Sequence, residues 1–207
     1  MNQASCSATV HTLPATKTRT VISRTGNDEA RGRKYLTRDE VRRLVKQARK
    51  NRHGARDALM IRMAFEHGLR VSELVSIKWQ HINMDAGDIS IERSKGSISG
   101  THPLQGQTLR ELRKMGRVTG RSQGFVFVNE RGSPVSVDGF RKTLHRLSED
   151  VFGVRWNPHA LRHACGYHMI NEGVDIRTAQ QYLGHSNIQN TVTYTAMSSR
   201  AFSKLRF

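Results

Sequence analysis

The residues best placed to do chemistry lie late in the chain, between Asn157 and Tyr194. Asn157-Pro158 reads as a helix start: an N-cap, then proline at the first helical position, where a missing N–H is no loss. His159 and Arg162 follow three apart, which sets both on one face of the opening turn. An imidazole and a guanidinium beside unpaired backbone N–H groups, at the positive end of a helix dipole, make a place for a phosphate. A second helix is predicted over 175–184, with Gly184 as its C-terminal cap; His185 follows directly, and Tyr194 comes one short segment later. His159 and His163 also have the spacing of helical zinc pairs. The metalloprotease pattern needs Glu where Ala160 stands, and no third ligand is placed, so no metal is expected.

Upstream elements must carry these groups. Residues 1–33 mix Ser, Thr, Lys, Arg and Gly without periodicity and read as a basic, flexible tail. Thr37 and Glu40 have the form of a capping box, and Val41, Leu44, Val45 and Ala48 then repeat at helical spacing. The pattern breaks at 51–54, resumes over 55–67 through Leu59, Met63 and Ala64, and stops at Gly68. A short helix over 71–77 then places Arg70 at a helix–helix junction, with Trp79 beyond it as a core anchor.

From 82 to 104 the period changes to two. Ile89 and Ile91 alternate with Ser90 and Glu92 between turns at Asp85-Ala86-Gly87 and Lys95-Gly96-Ser97. This predicts a small antiparallel sheet with Lys95 at a hairpin tip and Pro103 on an edge. Helices over 108–116 and 137–149 and a short strand over 125–128 complete a mainly α chain with a small antiparallel sheet, an α+β class. One domain over 34–195 is expected between the tail and a C-terminal segment, 196–207.

Lys and Arg outnumber Asp and Glu by 34 to 17, a formal charge of +17. Such a surplus points to a polyanionic partner, nucleic acid first. No apolar run approaches the roughly 18–20 residues of a membrane span. Cys6 and Cys165 sit in unlike contexts, one in the tail and one in a helix, which fits free thiols in a reducing cytoplasm.

The run His159-Ala160-Leu161-Arg162-His163, the triplet Leu183-Gly184-His185, Tyr194, and the earlier Gly68-Leu69-Arg70-Val71-Ser72-Glu73-Leu74 together resemble the motifs of the tyrosine site-specific recombinases, the phage-integrase family. The resemblance runs from about Tyr35 to the end and is nearest to the small invertases of fimbrial promoter elements. It implies that family's catalytic-domain fold, with DNA strands cut and rejoined through a covalent 3′-phosphotyrosyl intermediate and no metal, cofactor or ATP. By the resemblance, Arg70 and Arg162 would clamp the non-bridging oxygens and His185 would add a third donor. His159 would bond the phosphate and take the nucleophile's proton, Lys95 would protonate the departing 5′ oxygen, and Tyr194 would attack. Glu73 would support the arginine clamp and His163 the site; Tyr167 and Tyr182 belong to the core by their apolar helical setting, and Tyr35 precedes the domain.

The family also implies double-stranded DNA as partner, a homo-tetramer on that DNA, and a place in the bacterial cytoplasm at the nucleoid. The separate N-terminal helical domain usual in the family is not expected, because the tail is too polar to make such a core. Oligomerisation or host DNA-bending proteins would then supply the missing grip, and Phe202, Leu205 and Phe207 form an apolar set that would dock on a neighbour. The competing readings are a non-catalytic DNA-binding regulator and a type IB topoisomerase-like relaxing enzyme.

Overall fold

Thr37 opens the first helix with both halves of a capping box: its hydroxyl accepts the Glu40 N–H at 3.2 Å, and the Glu40 carboxylate accepts the Thr37 N–H at 2.7 Å. The computed structural model describes residues 33–93, 97–120 and 122–195. Lys95, Cys6, the tail over 1–32 and the segment 196–207, with Phe202, Leu205 and Phe207, lie outside the described residues. Arg33, placed in the tail from sequence, is paired with Glu40 at 2.8 Å.

Helix α1 (Arg38–Ala48) buries Val41, Leu44, Val45 and Ala48, the stripe its spacing marks. A tight turn leads to α2 (Gly54–Glu66); a Cβ on Gly54 would lie 2.4 Å from the Arg49 carbonyl oxygen. Gly68 then reverses the chain at a φ of +57°, a conformation that costs glycine nothing. Helix α3 (Val71–Val75) is shorter than the 71–77 expected. The Ser76 hydroxyl donates to the Glu73 carbonyl at 2.9 Å and the Ile77 N–H turns to the Leu74 carbonyl at 3.4 Å, which ends the ladder, and the Ile77 carbonyl then pairs sideways with the Val126 N–H at 2.9 Å.

A 3₁₀ turn (Trp79–His81) leads into the sheet, β1 (Ile82–Asn83), β2 (Asp88–Ile91) and β3 (Gly100–Pro103), antiparallel in that order. Ile82 faces Ile89, and Ile89 faces His102 across the ladder. Helices α4 (Gly106–Thr119), α5 (Val137–Phe152), α6 (His159–Asn171), α7 (Ile176–Leu183) and α8 (Gln189–Val192) follow. The segment 125–128 is not a strand. It makes only single bridges, Lys78 to Phe125 and Val128 to Pro134, and its apolar character comes from Val126 and Phe127 plugging the core.

Helix α2 is the hub, packed on α1, α4 and α6, with α5 closing the far side of α1. The main core gathers Leu44, Leu59, Ile61, Leu74, Phe127, Phe140 and Leu144. Truncating a fully buried leucine there, such as Leu44→Ala, costs about 2–5 kcal/mol. A second, smaller cluster holds Cys165, Tyr167, Leu183 and Tyr194, with Tyr35 and Phe65 packed against it. The candidate residues read from the sequence within the described residues collect around this cluster. Among the described residues no helix is long and apolar enough to cross a membrane.

Candidate active site

Arg162 is the centre of the site and is almost fully buried, at 1% exposure. Its position on α6 aims it into the angle between two chain reversals. Nη1 donates to the Gly68 carbonyl at 2.5 Å and Nη2 to the Leu183 carbonyl at 2.6 Å. Both carbonyls stand at helix ends capped by left-handed glycines, Gly68 and Gly184. A side chain on Gly68 would strike Leu183 Cδ2 at 2.4 Å, so the reversals are packed on one another as well as bridged. Burial, then the charges of Arg70 and Arg93, push Arg162 down from 12.5 to about 10, which still leaves it cationic at neutral pH.

Glu73, buried on α3, holds the cations together. Its Oε1 accepts Arg70 Nη1 at 2.8 Å; its Oε2 accepts the Arg70 backbone N–H at 2.8 Å and Arg93 Nη1 at 3.1 Å, and lies 3.9 Å from Arg162 Nη1. Arg70 also donates to Ser97 Oγ at 3.1 Å and keeps about a third of its side chain exposed. Of the cluster's guanidiniums it is the most open to an incoming phosphate.

His185, buried directly after the α7 cap, has Nδ1 2.9 Å from Thr191 Oγ1. With the hydroxyl donating to Nδ1, the ring proton stays on Nε2 as a free N–H donor. Burial first, then Arg162, Arg70 and Arg93, lower His185 to about 4, so the ring is neutral at neutral pH. His159, at the exposed start of α6, is lowered for the same reasons, burial ahead of Arg162 and Arg70.

Tyr194 is 2% exposed. It follows α8, and its ring lies across α6 where Gly166 has no side chain; a Cβ there would meet the ring at 2.5 Å. Tyr167 packs edge-on against it at 5.0 Å and is itself stacked on Tyr35 at 3.8 Å. The Tyr194 hydroxyl lies 3.1 Å from His163 Nδ1. Burial pushes the phenol up to about 12, against a pull from Arg162. Burial, His159 and Arg162 push His163 down to about 4. Both partners are therefore neutral, and the contact is a phenol bonded to an imidazole.

The structure thus brings Arg70, Glu73, His159, Arg162, His163, His185 and Tyr194 to one place from α3, α6 and the ends of α7 and α8. Two expectations change. The first-turn N–H groups of α6 are not open to a phosphate: the Asn157 side chain accepts from His159, the Asn157 carbonyl from Ala160 and the Pro158 carbonyl from Leu161. Side chains must make the anion site instead. The histidine within hydrogen-bond reach of the Tyr194 hydroxyl is His163 rather than His159, which stacks edge-on against His163 at 4.7 Å. Sequence reading missed Arg93, Thr191 and Gly166. Arg93 alone left a signal: it continues the inward alternation of Ile89 and Ile91. Among the described residues no group of three or more His, Cys, Asp or Glu is placed to hold a metal ion.

Residues 34–200 match the phage integrase family. The type 1 fimbriae regulatory protein FimE of Escherichia coli K12 is 35% identical over 184 residues, spanning 84% of this chain and 90% of that protein. Tyrosine recombinase XerA of Pyrococcus furiosus is 32% identical over 173 residues, spanning 81% of this chain and 58% of the relative. Among solved structures, XerA recombinase superposes with a TM-score of 0.73 at 22% identity, covering 84% of this chain and 66% of the other. XerH bound to its difH substrate gives 0.68 at 20% identity, covering 84% and 53%. These two share the fold. The extent of the family match and the identity to FimE carry the rest: this chain belongs to the phage integrase family, the tyrosine recombinases, enzymes that cut and rejoin DNA.

Proposed function

We propose that the chain is a site-specific DNA recombinase of the inverting or integrating kind, acting on double-stranded DNA as a homo-tetramer, and that Tyr194 is its nucleophile. A phosphodiester repels nucleophiles and has a poor leaving group, so the site must supply positive donors, an attacking group and proton carriers. Arg70 and Arg162 clamp the non-bridging oxygens; their planar forks suit the task better than lysine. The Nε2 proton of His185 adds a donor, and His159, at the exposed rim, bonds the phosphate. Tyr194 Oη attacks phosphorus and the 5′ oxygen leaves, protonated by Lys95. The bond energy is kept in the 3′-phosphotyrosyl ester, so a 5′ hydroxyl can reverse the step without ATP.

At rest the phenol of Tyr194 keeps its proton and bonds to His163, the group within reach to receive it. In the free protein the two partners are forced apart, the phenol to about 12 and the imidazole to about 4, so the proton stays on oxygen. A bound phosphate partly neutralises the arginines, which makes His163 a better base. The basic tail adds phosphate contacts, and host DNA-bending proteins help to assemble the four protomers.

What supports this reading above all is the convergence of the buried Arg162 brace, Arg70 and the His163–Tyr194 pair on one cluster. The test is covalent trapping with supercoiled and nicked DNA drawn from the sequence flanking the protein's own gene, in the presence of a chelator, followed by denaturation. A protein–DNA adduct that disappears in Tyr194→Phe is the expected result. Tight binding with no adduct would instead favour a DNA-binding regulator, and relaxed but unrecombined products a topoisomerase.

A further inference from the structure

Arg93 takes no part in the scheme above, yet its side chain is entirely buried, at 0% exposure. A cation at a core position of a strand needs a reason, since burial disfavours the charge. Its contacts are directed. Nη1 donates to Glu73 Oε2 at 3.1 Å, Nη2 to the Tyr182 carbonyl at 2.8 Å, and its backbone N–H to Ser99 Oγ at 3.0 Å. Tyr182 and Leu183 are consecutive, and the Leu183 carbonyl is the acceptor of Arg162. Arg93 and Arg162 therefore run side by side as two braces from the last turn of α7 to the corner that carries Arg70 and Glu73. A second observation is independent of these bonds. Gly184 leaves room for this side chain: a Cβ there would meet Arg93 Cδ at 2.2 Å and Nε at 2.4 Å, and the Ile98 carbonyl oxygen at 2.6 Å.

We propose that Arg93 is a positioning residue of the phosphate clamp, acting through Glu73 on Arg70. Glu73 divides its two oxygens among three guanidiniums. Arg93 fixes Oε2, and this fixes the rotation of the carboxylate that presents Oε1 to Arg70 Nη1. Without it Glu73 keeps the Arg70 backbone N–H but can turn about its own axis, and the most open guanidinium loses its direction. Arg93 also sets the charge of the cluster: three guanidiniums and one carboxylate leave two positive charges. A phosphodiester under attack by a phenolate carries two negative charges, so the pair closes to neutrality only when Arg93 is present.

This inference rests on the strand-cutting reading, and its test separates the two. Arg93→Met, Arg93→Lys and Glu73→Gln are compared with the full-length wild type for duplex affinity, thermal melting and adduct formation at saturating nicked DNA. Wild type that forms no Tyr194 adduct sinks strand cutting itself. Given an adduct, Arg93→Met is expected to form it about 100-fold more slowly, the cost of a misplaced catalytic group. Its affinity stays within about two-fold, and its melting temperature is unchanged or higher, as when an apolar side chain replaces a buried ion pair. Arg93→Lys keeps the charge and recovers to within about ten-fold of wild type. In a Glu73→Gln background Arg93→Met adds no more than about two-fold, because its effect passes through that carboxylate. Cutting by Arg93→Met within about three-fold of wild type overturns the proposal. So does a loss that merely follows a lowered melting temperature, with lysine no better than methionine.

Discussion

A single missing methyl group seats Tyr194, the proposed nucleophile. Tyr194 lies over Gly166, and the ring carbons Cε2 and Cζ would stand 2.5 and 2.7 Å from a Cβ at that position. Gly166→Ala is therefore expected to evict the ring while leaving every charged group of the clamp in place. Overpacking of this kind costs about 1–3 kcal/mol. The expected outcome is a modest drop in melting temperature, retained DNA binding and loss of most of the covalent adduct. An alanine variant that cuts at the wild-type rate would show that the seat plays no part in attack. Gly166 was not legible in the sequence, because nothing in a helical pattern distinguishes a glycine under a ring from one left by chance. Arg70, Arg162, His185 and Tyr194 were legible because each stands in a short motif. Lys95, read from its place at a hairpin tip, lies outside the described residues.

At the scale of elements, β3, the end of α2 and α7 meet in a stack of His67, His102 and Tyr182. The His102 ring lies 3.9 Å from Tyr182 and 5.6 Å from His67. Burial first, then the neighbouring charges, holds His67 down to about 3 and His102 to about 4. These values lie below the ordinary 6.5, so the unfolded chain takes up protons before the folded one as pH falls. Stability is then full above about pH 6.5 and declines through the window down to about 4. His163 and His185, also lowered to about 4, act in the same direction; Glu66, raised by burial, opposes them. Urea unfolding at pH 7.5 and pH 5 is expected to show the loss. His102→Phe, which keeps the stack on Tyr182, should flatten the profile. A profile unchanged by that substitution would exclude His102 as a source. By contrast, Thr37→Ala removes one half of a capping box remote from the site, and should cost about 1 kcal/mol with cutting unaltered at permissive temperature.

Element types were the easier part of the sequence to read. The α1 stripe, the Asp175 cap with its acceptance of the Arg177 and Thr178 N–H groups, and the Gly184 stop all stand where local chemistry puts them. The misread elements depend on distant partners. Helix α3 ends before Ile77, which pairs with Val126, the 125–128 run packs as a plug, and the α6 start closes on its own preceding residues. No local pattern records those contacts.

Over the whole molecule, the site is held together by long-range ties: Arg162 to Gly68, Arg93 to Tyr182, His163 to Tyr194. A chain carrying +17 should grip DNA mainly through phosphates. The logarithm of its affinity is then expected to fall steeply and linearly with the logarithm of salt concentration. A flat dependence would count against a phosphate-dominated grip. The aromatic cluster has a practical consequence as well. Of four tyrosines in the chain, Tyr35, Tyr167 and Tyr194 touch in series, while both tryptophans belong to the main core. Rings in such contact couple their electronic transitions, so near-ultraviolet circular dichroism from tyrosine reports chiefly on this cluster. Any shift of Tyr194 within that seat when DNA binds would change the signal without a label, and stopped-flow detection would time it against strand cutting.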